Sequence, residues 1–116
     1  MISPIARLVI ESYPRIRIAE LSPLLHQVWL GGSDLVANLY ESSATVRICS
    51  SEEDESAGSW REVSYDDPSF EEKFRQYLDV RLKYTPEERL RYLRQENVKM
   101  YFEVKRRTHK FPGGSL

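Results

Sequence analysis

Histidine, cysteine and carboxylate side chains are the groups most able to hold a metal or drive catalysis, and their spacing in this chain supports neither role. The two histidines, His26 and His109, stand far from the single cysteine, Cys49, so no zinc spacing is present. No serine or cysteine lies in a segment that suggests an activated nucleophile, and Cys49, in an alternating segment, reads as core. Gly31-Gly32-Ser33 lacks both the Gly-Lys-Ser/Thr that completes a phosphate loop and an Asp-x-Asp/Glu pair on a following strand. The acidic run Glu52, Glu53, Asp54 and Glu55 has neither the alternating oxygen ligands nor the bending glycine of a calcium loop. No catalytic residue, metal ligand or cofactor is therefore assigned.

Charge is the feature with chemical content. Residues 1–74 hold six Lys/Arg against thirteen Asp/Glu, whereas residues 75–116 hold eleven against five. The overall formal charge of −1 thus conceals two opposed halves. Their poles are the acidic run Glu52, Glu53, Asp54 and Glu55 and a basic set, Arg94, Lys99, Lys105, Arg106, Arg107 and Lys110. Such poles predict docking by charge complementarity onto another protein or a second copy of the chain. An alternative partner for the basic set is nucleic acid, because Tyr101, Phe102 and Phe111 are interleaved with cations that can neutralise phosphates. The ordinary account is a solvated helix on which Glu87, Glu88, Glu96 and Glu103 pair with these cations at helical spacing.

These residues need a scaffold, and the composition permits one. With 116 residues, 41% of them apolar, and thirteen aromatics, the chain can bury a single core without metal or disulfide support. Residues 1–110 are expected to form one globular domain, with 111–116 as a flexible tail. One cysteine and no apolar run near ~20 residues favour a cytoplasmic protein that does not enter the membrane. The Met1–Ile10 stretch is interrupted by Arg7 and does not read as a signal peptide.

Four Ser/Thr/Asp-Pro pairs, at 3–4, 22–23, 67–68 and 85–86, resemble helix starts, because proline at the first helical position forfeits no hydrogen bond. The strongest is Thr85-Pro86-Glu87-Glu88, a capping box that predicts a helix over 86–107. Phe70, Phe74, Tyr77, Leu78 and Leu82 predict another over about 68–82. Between 44 and 65 the period becomes two, which predicts a β-hairpin whose connection, Ser50–Ser59, carries the acidic run. Toward the N-terminus, a helix is expected after Ser3-Pro4, a short extended piece at Arg15–Ile18, and a helix at Ser22–Leu30 closed by Gly31-Gly32. Residues 33–41 fit a helix and a strand equally well. The fold class that follows is α+β: N-terminal helical segments, a small antiparallel sheet of two or three strands, and a C-terminal helical pair.

If 33–41 is helical, the element order over residues 3–65, with its Gly31-Gly32 turn, resembles a winged-helix domain. That resemblance implies a DNA-reading helix, yet the corresponding positions carry Asp34, Asn38 and Glu41, and the wing carries four acids, so protein contact is the better use of such a shape. Glu103-Val104-Lys105 matches the Glu-x-Lys fragment of a family of metal-dependent nucleases, in which the fragment lies on a strand; here it falls near the end of a capped helix. The expected function is that of a small, non-enzymatic, cytosolic accessory or regulatory protein acting by protein–protein contact. Nucleic-acid binding through the basic C-terminal region is the alternative, and a metal-dependent nuclease using Glu103 and Lys105 a remote one.

Overall fold

A computed structural model describes residues 2–50 and 59–108, with side chains described as far as Lys99. The element order is α1 (Pro4–Glu11), β1 (Ile16–Ser22), β2 (Leu25–Leu30), β3 (Asp34–Tyr40), β4 (Ser43–Arg47), β5 (Trp60–Ser64), α2 (Phe70–Lys83) and α3 (Pro86–Thr108). The five strands form one antiparallel sheet in the order β1-β2-β3-β4-β5, each strand beside its sequence neighbour. The α+β class is as expected, but the sheet has five strands rather than two or three.

The difference lies in residues 16–40. Ser22–Leu30, expected as a helix, instead supplies the β1–β2 turn and strand β2, and the ambiguous 33–41 segment is strand β3. Ser22-Pro23 is consequently a hairpin turn, in which the Ser22 hydroxyl accepts from the Leu24 amide at 3.2 Å. Gly31-Gly32 belongs to the β2–β3 turn, and Gly31 takes a φ of +66°, a conformation that favours glycine. Without a helical pair between residues 22 and 41 there is no helix-turn-helix, so the winged-helix resemblance does not hold.

Elsewhere local signals act as read. Ser3 caps α1 by accepting from the Ala6 amide at 3.4 Å. The capping box of α3 is closed in both directions: the Thr85 amide donates to Glu88 Oε1 at 3.0 Å and the Glu88 amide to Thr85 Oγ1 at 3.2 Å. Helix α2 starts at Phe70, later than Asp67-Pro68 suggests. Asp67 instead accepts from the Ser69 amide at 2.8 Å and pairs with Lys73 at 2.6 Å, holding the chain in a turn ahead of the helix. The expected hairpin is present, registered from Arg47↔Trp60 to Ser43↔Ser64.

Register assigns a face to each strand residue. Ile16, Ile18, Val28, Leu30, Ala37, Leu39, Ala44, Val46 and Val63 point to one side of the sheet. Val9 and Ile10 of α1, Phe70, Phe74 and Leu78 of α2, and Leu93 of α3 join them in one core. Phe70 stacks on Phe74 and meets the edge of Tyr65, with both pairs of ring centroids 5.2 Å apart. The architecture is two-layered, a helical layer on one face of a meander sheet. Among the described residues no helix packs on the other face.

Candidate functional site

The uncovered face is set by the same register. Its positions are Arg17 and Ala19 on β1, Leu25, Gln27 and Trp29 on β2, Leu35, Asn38 and Tyr40 on β3, Ser43, Thr45 and Arg47 on β4, and Trp60, Glu62 and Ser64 on β5, of which Asn38 and Ser43 are buried. Arg17 lies directly across from Trp29, and Arg47 directly across from Trp60. Ala37↔Val46 is the last pair between β3 and β4 at this end, so Arg47 follows in the row that begins with Arg17 and Trp29. Two cation–indole pairs thus lie along a line crossing the sheet, separated at β3 by Leu35, which pairs with Trp29 next to the irregularity between Val28 and Trp29.

Both tryptophans are only half-buried, and Arg17 is exposed. The Arg47 guanidinium lies 5.7 Å from the centroid of the Trp60 ring, a cation–π contact that flattens the side chain along the sheet. Beside this row run polar side chains, Gln27, Asn38 and Thr45, in register across three strands. At their end Glu62 Oε2 accepts from the Ser43 hydroxyl at 3.2 Å. Thr45 Oγ1 and Arg47 Nε have no hydrogen-bond partner among the described residues. A surface of flat aromatic rings, amides and guanidinium groups can stack on planar groups, pair with anions and hydrogen-bond to polar edges.

Other concavities are occupied by their own chemistry. A cleft of about 290 Å³ between the ends of α1 and α2 is lined by Tyr13, Pro14, Arg15, Leu30, Leu82 and Lys83. Two of its polar side chains are engaged with one carboxylate: the Tyr13 hydroxyl donates to Asp79 Oδ1 at 2.7 Å, and Lys83 pairs with the same group at 3.3 Å. Burial, then the Asp79 carboxylate, pushes the Tyr13 phenol up to about 12. A second hollow, of about 350 Å³, is lined by Ile2, Arg7, Pro23, Leu24 and His26. There Glu20 pairs with Arg7 at 3.5 Å and approaches His26 Nε2 at 3.7 Å, while His26 Nδ1 has no partner among the described residues.

The residues singled out from sequence are scattered differently. Glu52, Glu53, Asp54, Glu55, Lys110 and the 111–116 tail lie outside the described residues. Lys105, Arg106 and Arg107 belong to α3, as does Glu103, so the Glu-x-Lys fragment is on a helix. Arg94 and Lys99 are exposed and share one shallow groove with Gln95 and Val98. Arg89, also on α3, is only 8% exposed. Its Nη1 donates to the Arg81 carbonyl at 3.1 Å and the Tyr84 carbonyl at 2.8 Å, binding the end of α2 to α3. Cys49 is buried in the core, as expected.

Trp29, Arg17, Arg47 and Trp60 were not singled out from sequence. For Arg47 and Trp60 a signal existed in the period-two alternation, but Trp29 fell in a segment read as helical and Arg17 in an isolated extended piece. Their grouping requires strand order, which only the folded sheet supplies.

Among the described residues, no group of three or more His, Cys, Asp or Glu is arranged to hold a metal ion, and no helix is long and apolar enough to cross a membrane. No protein-family model, curated protein or solved structure matches the chain.

Proposed function

We propose that this protein is a non-enzymatic binding module that acts by contact with another macromolecule, and that the uncovered face of the sheet is its contact surface. The observation that carries this reading is the row Arg17, Trp29, Arg47 and Trp60, which places the chain's only two tryptophans on a face where, among the described residues, no helix packs. Large aromatic and arginine side chains are the types that contribute most to macromolecular contacts when a partner buries them. A monomer gains less by leaving two indoles half-exposed, since each forgoes part of its apolar burial. The charge poles noted in the sequence are then auxiliary: they orient an approaching partner rather than form the anchor.

The test compares the wild-type protein with a Trp29→Ala/Trp60→Ala variant in capture from cells that make it, with both protein and nucleic acid analysed. A macromolecule retained by the wild type and lost from a variant of unchanged circular dichroism is the expected result. Equal recovery by the two proteins would remove the sheet face from the reading. Reversal of Arg94 and Lys99 to Glu, run in parallel, is expected to slow association without abolishing it.

A further inference from the structure

We infer that the partner on the uncovered sheet face is single-stranded nucleic acid, bound by bases stacking on Trp29 and Trp60 and by phosphates pairing with Arg17 and Arg47. This inference rests on the reading of that face as the contact surface and adds the chemistry of what it holds.

Four observations favour this class. First, the row holds two cation–indole pairs: Arg17 is registered opposite Trp29, and Arg47 opposite Trp60. A nucleotide strand repeats the complementary pair, a planar base and an anionic phosphate, at every step. Second, Trp29 on β2 and Trp60 on β5 are three strands apart, or roughly 14 Å at the usual inter-strand spacing. That separation gives two distinct stacking positions along one strand of nucleic acid rather than a single cage around one group. Third, Gln27 stands beside Trp29 on the same face and is only half-buried, so its amide can reach an exposed base edge, whereas Asn38 and the Thr45 hydroxyl next to it are buried. Fourth, among the described residues the face carries two cations, Arg17 and Arg47, and one carboxylate, Glu62, which accepts from Ser43, so the balance of those residues favours an anion.

Single strands are specified because stacking on a flat sheet needs bases free of a duplex stack. A proline-rich peptide also stacks on paired tryptophans, but it has no anion to match Arg17 and Arg47.

The two tryptophans make the test direct, because all of the protein's indole emission comes from this face. The full chain is titrated with short oligodeoxythymidylate and oligouridylate, with a duplex of mixed sequence and with a proline-rich peptide, following tryptophan fluorescence and anisotropy of labelled strands. Saturable quenching by single strands is expected, with duplex clearly weaker. Trp29→Ala and Trp60→Ala should each weaken binding roughly 5- to 150-fold, the range measured for loss of one stacked base. Two neutralised phosphates correspond to a slope of about −1.4 in log affinity against log salt, which Arg17→Gln/Arg47→Gln should abolish. The conservative Trp29→Phe and Trp60→Phe proteins should retain binding and show that the losses do not come from unfolding.

Single strands that neither quench nor bind at low salt would overturn the inference, as would binding that survives in Trp29→Ala/Trp60→Ala. Quenching by the peptide alone, or a captured protein lost from that double variant, would also overturn it while leaving the sheet face as the contact surface. Failure of every ligand together with equal capture by wild type and double variant would remove both readings.

Discussion

Arg81 shows how one residue can tie distant parts of this chain together. Its side chain is 3% exposed, and it donates through Nη2 to Asp34 Oδ1 at 2.5 Å, joining the C-terminal half of α2 to the first residue of β3. Arg89 in turn donates to the Arg81 carbonyl, so two buried guanidiniums link β3, α2 and α3 in series. Removing one partner of such a pair leaves a buried charge uncompensated, which is costlier than never having made the pair. Asp34→Ala is therefore expected to destabilise the fold by about 3 kcal/mol, the lower end of the range for buried pairs, because Asp34 itself is one-third exposed. Urea denaturation measures this, and adding Arg81→Met should recover much of the loss. A double variant no more stable than Asp34→Ala would show that Arg81 acts through its packing instead.

At the scale of the element, α3 illustrates a helix start written wholly in local sequence. Thr85 and Glu88 exchange hydrogen bonds, and the backbone bond from Thr85, with the Thr85 side chain second, holds the Glu88 carboxyl below its ordinary value of 4.5. A lowered folded value means that the charged form is favoured by folding. Its stabilisation is present above the ordinary carboxyl value and is lost as pH falls through the lowered one. The stability difference between wild type and Glu88→Ala should accordingly be constant from neutral pH down to about 4.5 and shrink below that. Thr85→Ala should cost about 1 kcal/mol at neutral pH. Denaturation midpoints across an acid pH series test both, and a gap that grows in acid would contradict the assigned cause. Local signals also misled in one place: Ser22-Pro23 has the residue types of a helix start, but Leu25, Gln27 and Trp29 alternate with buried His26 and Val28 between two other strands. Strand pairing on both sides overrode the capping signal.

For the whole molecule, the two faces of the sheet have unequal roles. Phe74 is completely buried between α2 and the sheet, and Phe74→Ala should cost about 3–5 kcal/mol through lost transfer energy and the cavity left behind. Trp29 and Trp60, half-buried on a face where no described helix packs, should each cost at most about half as much when truncated to Ala. Thermal or urea unfolding of the three variants provides the comparison. A tryptophan variant as unstable as Phe74→Ala would mean that this face contributes to the core rather than to partner contact. The asymmetry is also why a binding surface can be altered here without dismantling the fold, since the layer that holds the sheet together lies on its other side.

The α+β class, the three helix regions near residues 4, 70 and 86, and the hairpin joining residues 43–47 to 60–64 follow from the sequence by itself. Each depends on interactions within a few residues or on one clear periodicity. The strands at 25–30 and 34–40 were decided by tertiary structure, because Val36, Ala37, Asn38 and Leu39 of β3 are all buried, Asn38 included although no described helix packs on its face, and so the strand lacks the alternation that marks a half-exposed strand. The candidate site was also beyond the sequence. Arg17, Trp29, Arg47 and Trp60 come from four different strands, and a shift of one residue in any pairing would turn that strand's members of the row into the core. Only the register imposed by packing α1 and α2 against the opposite face places all four together in one row.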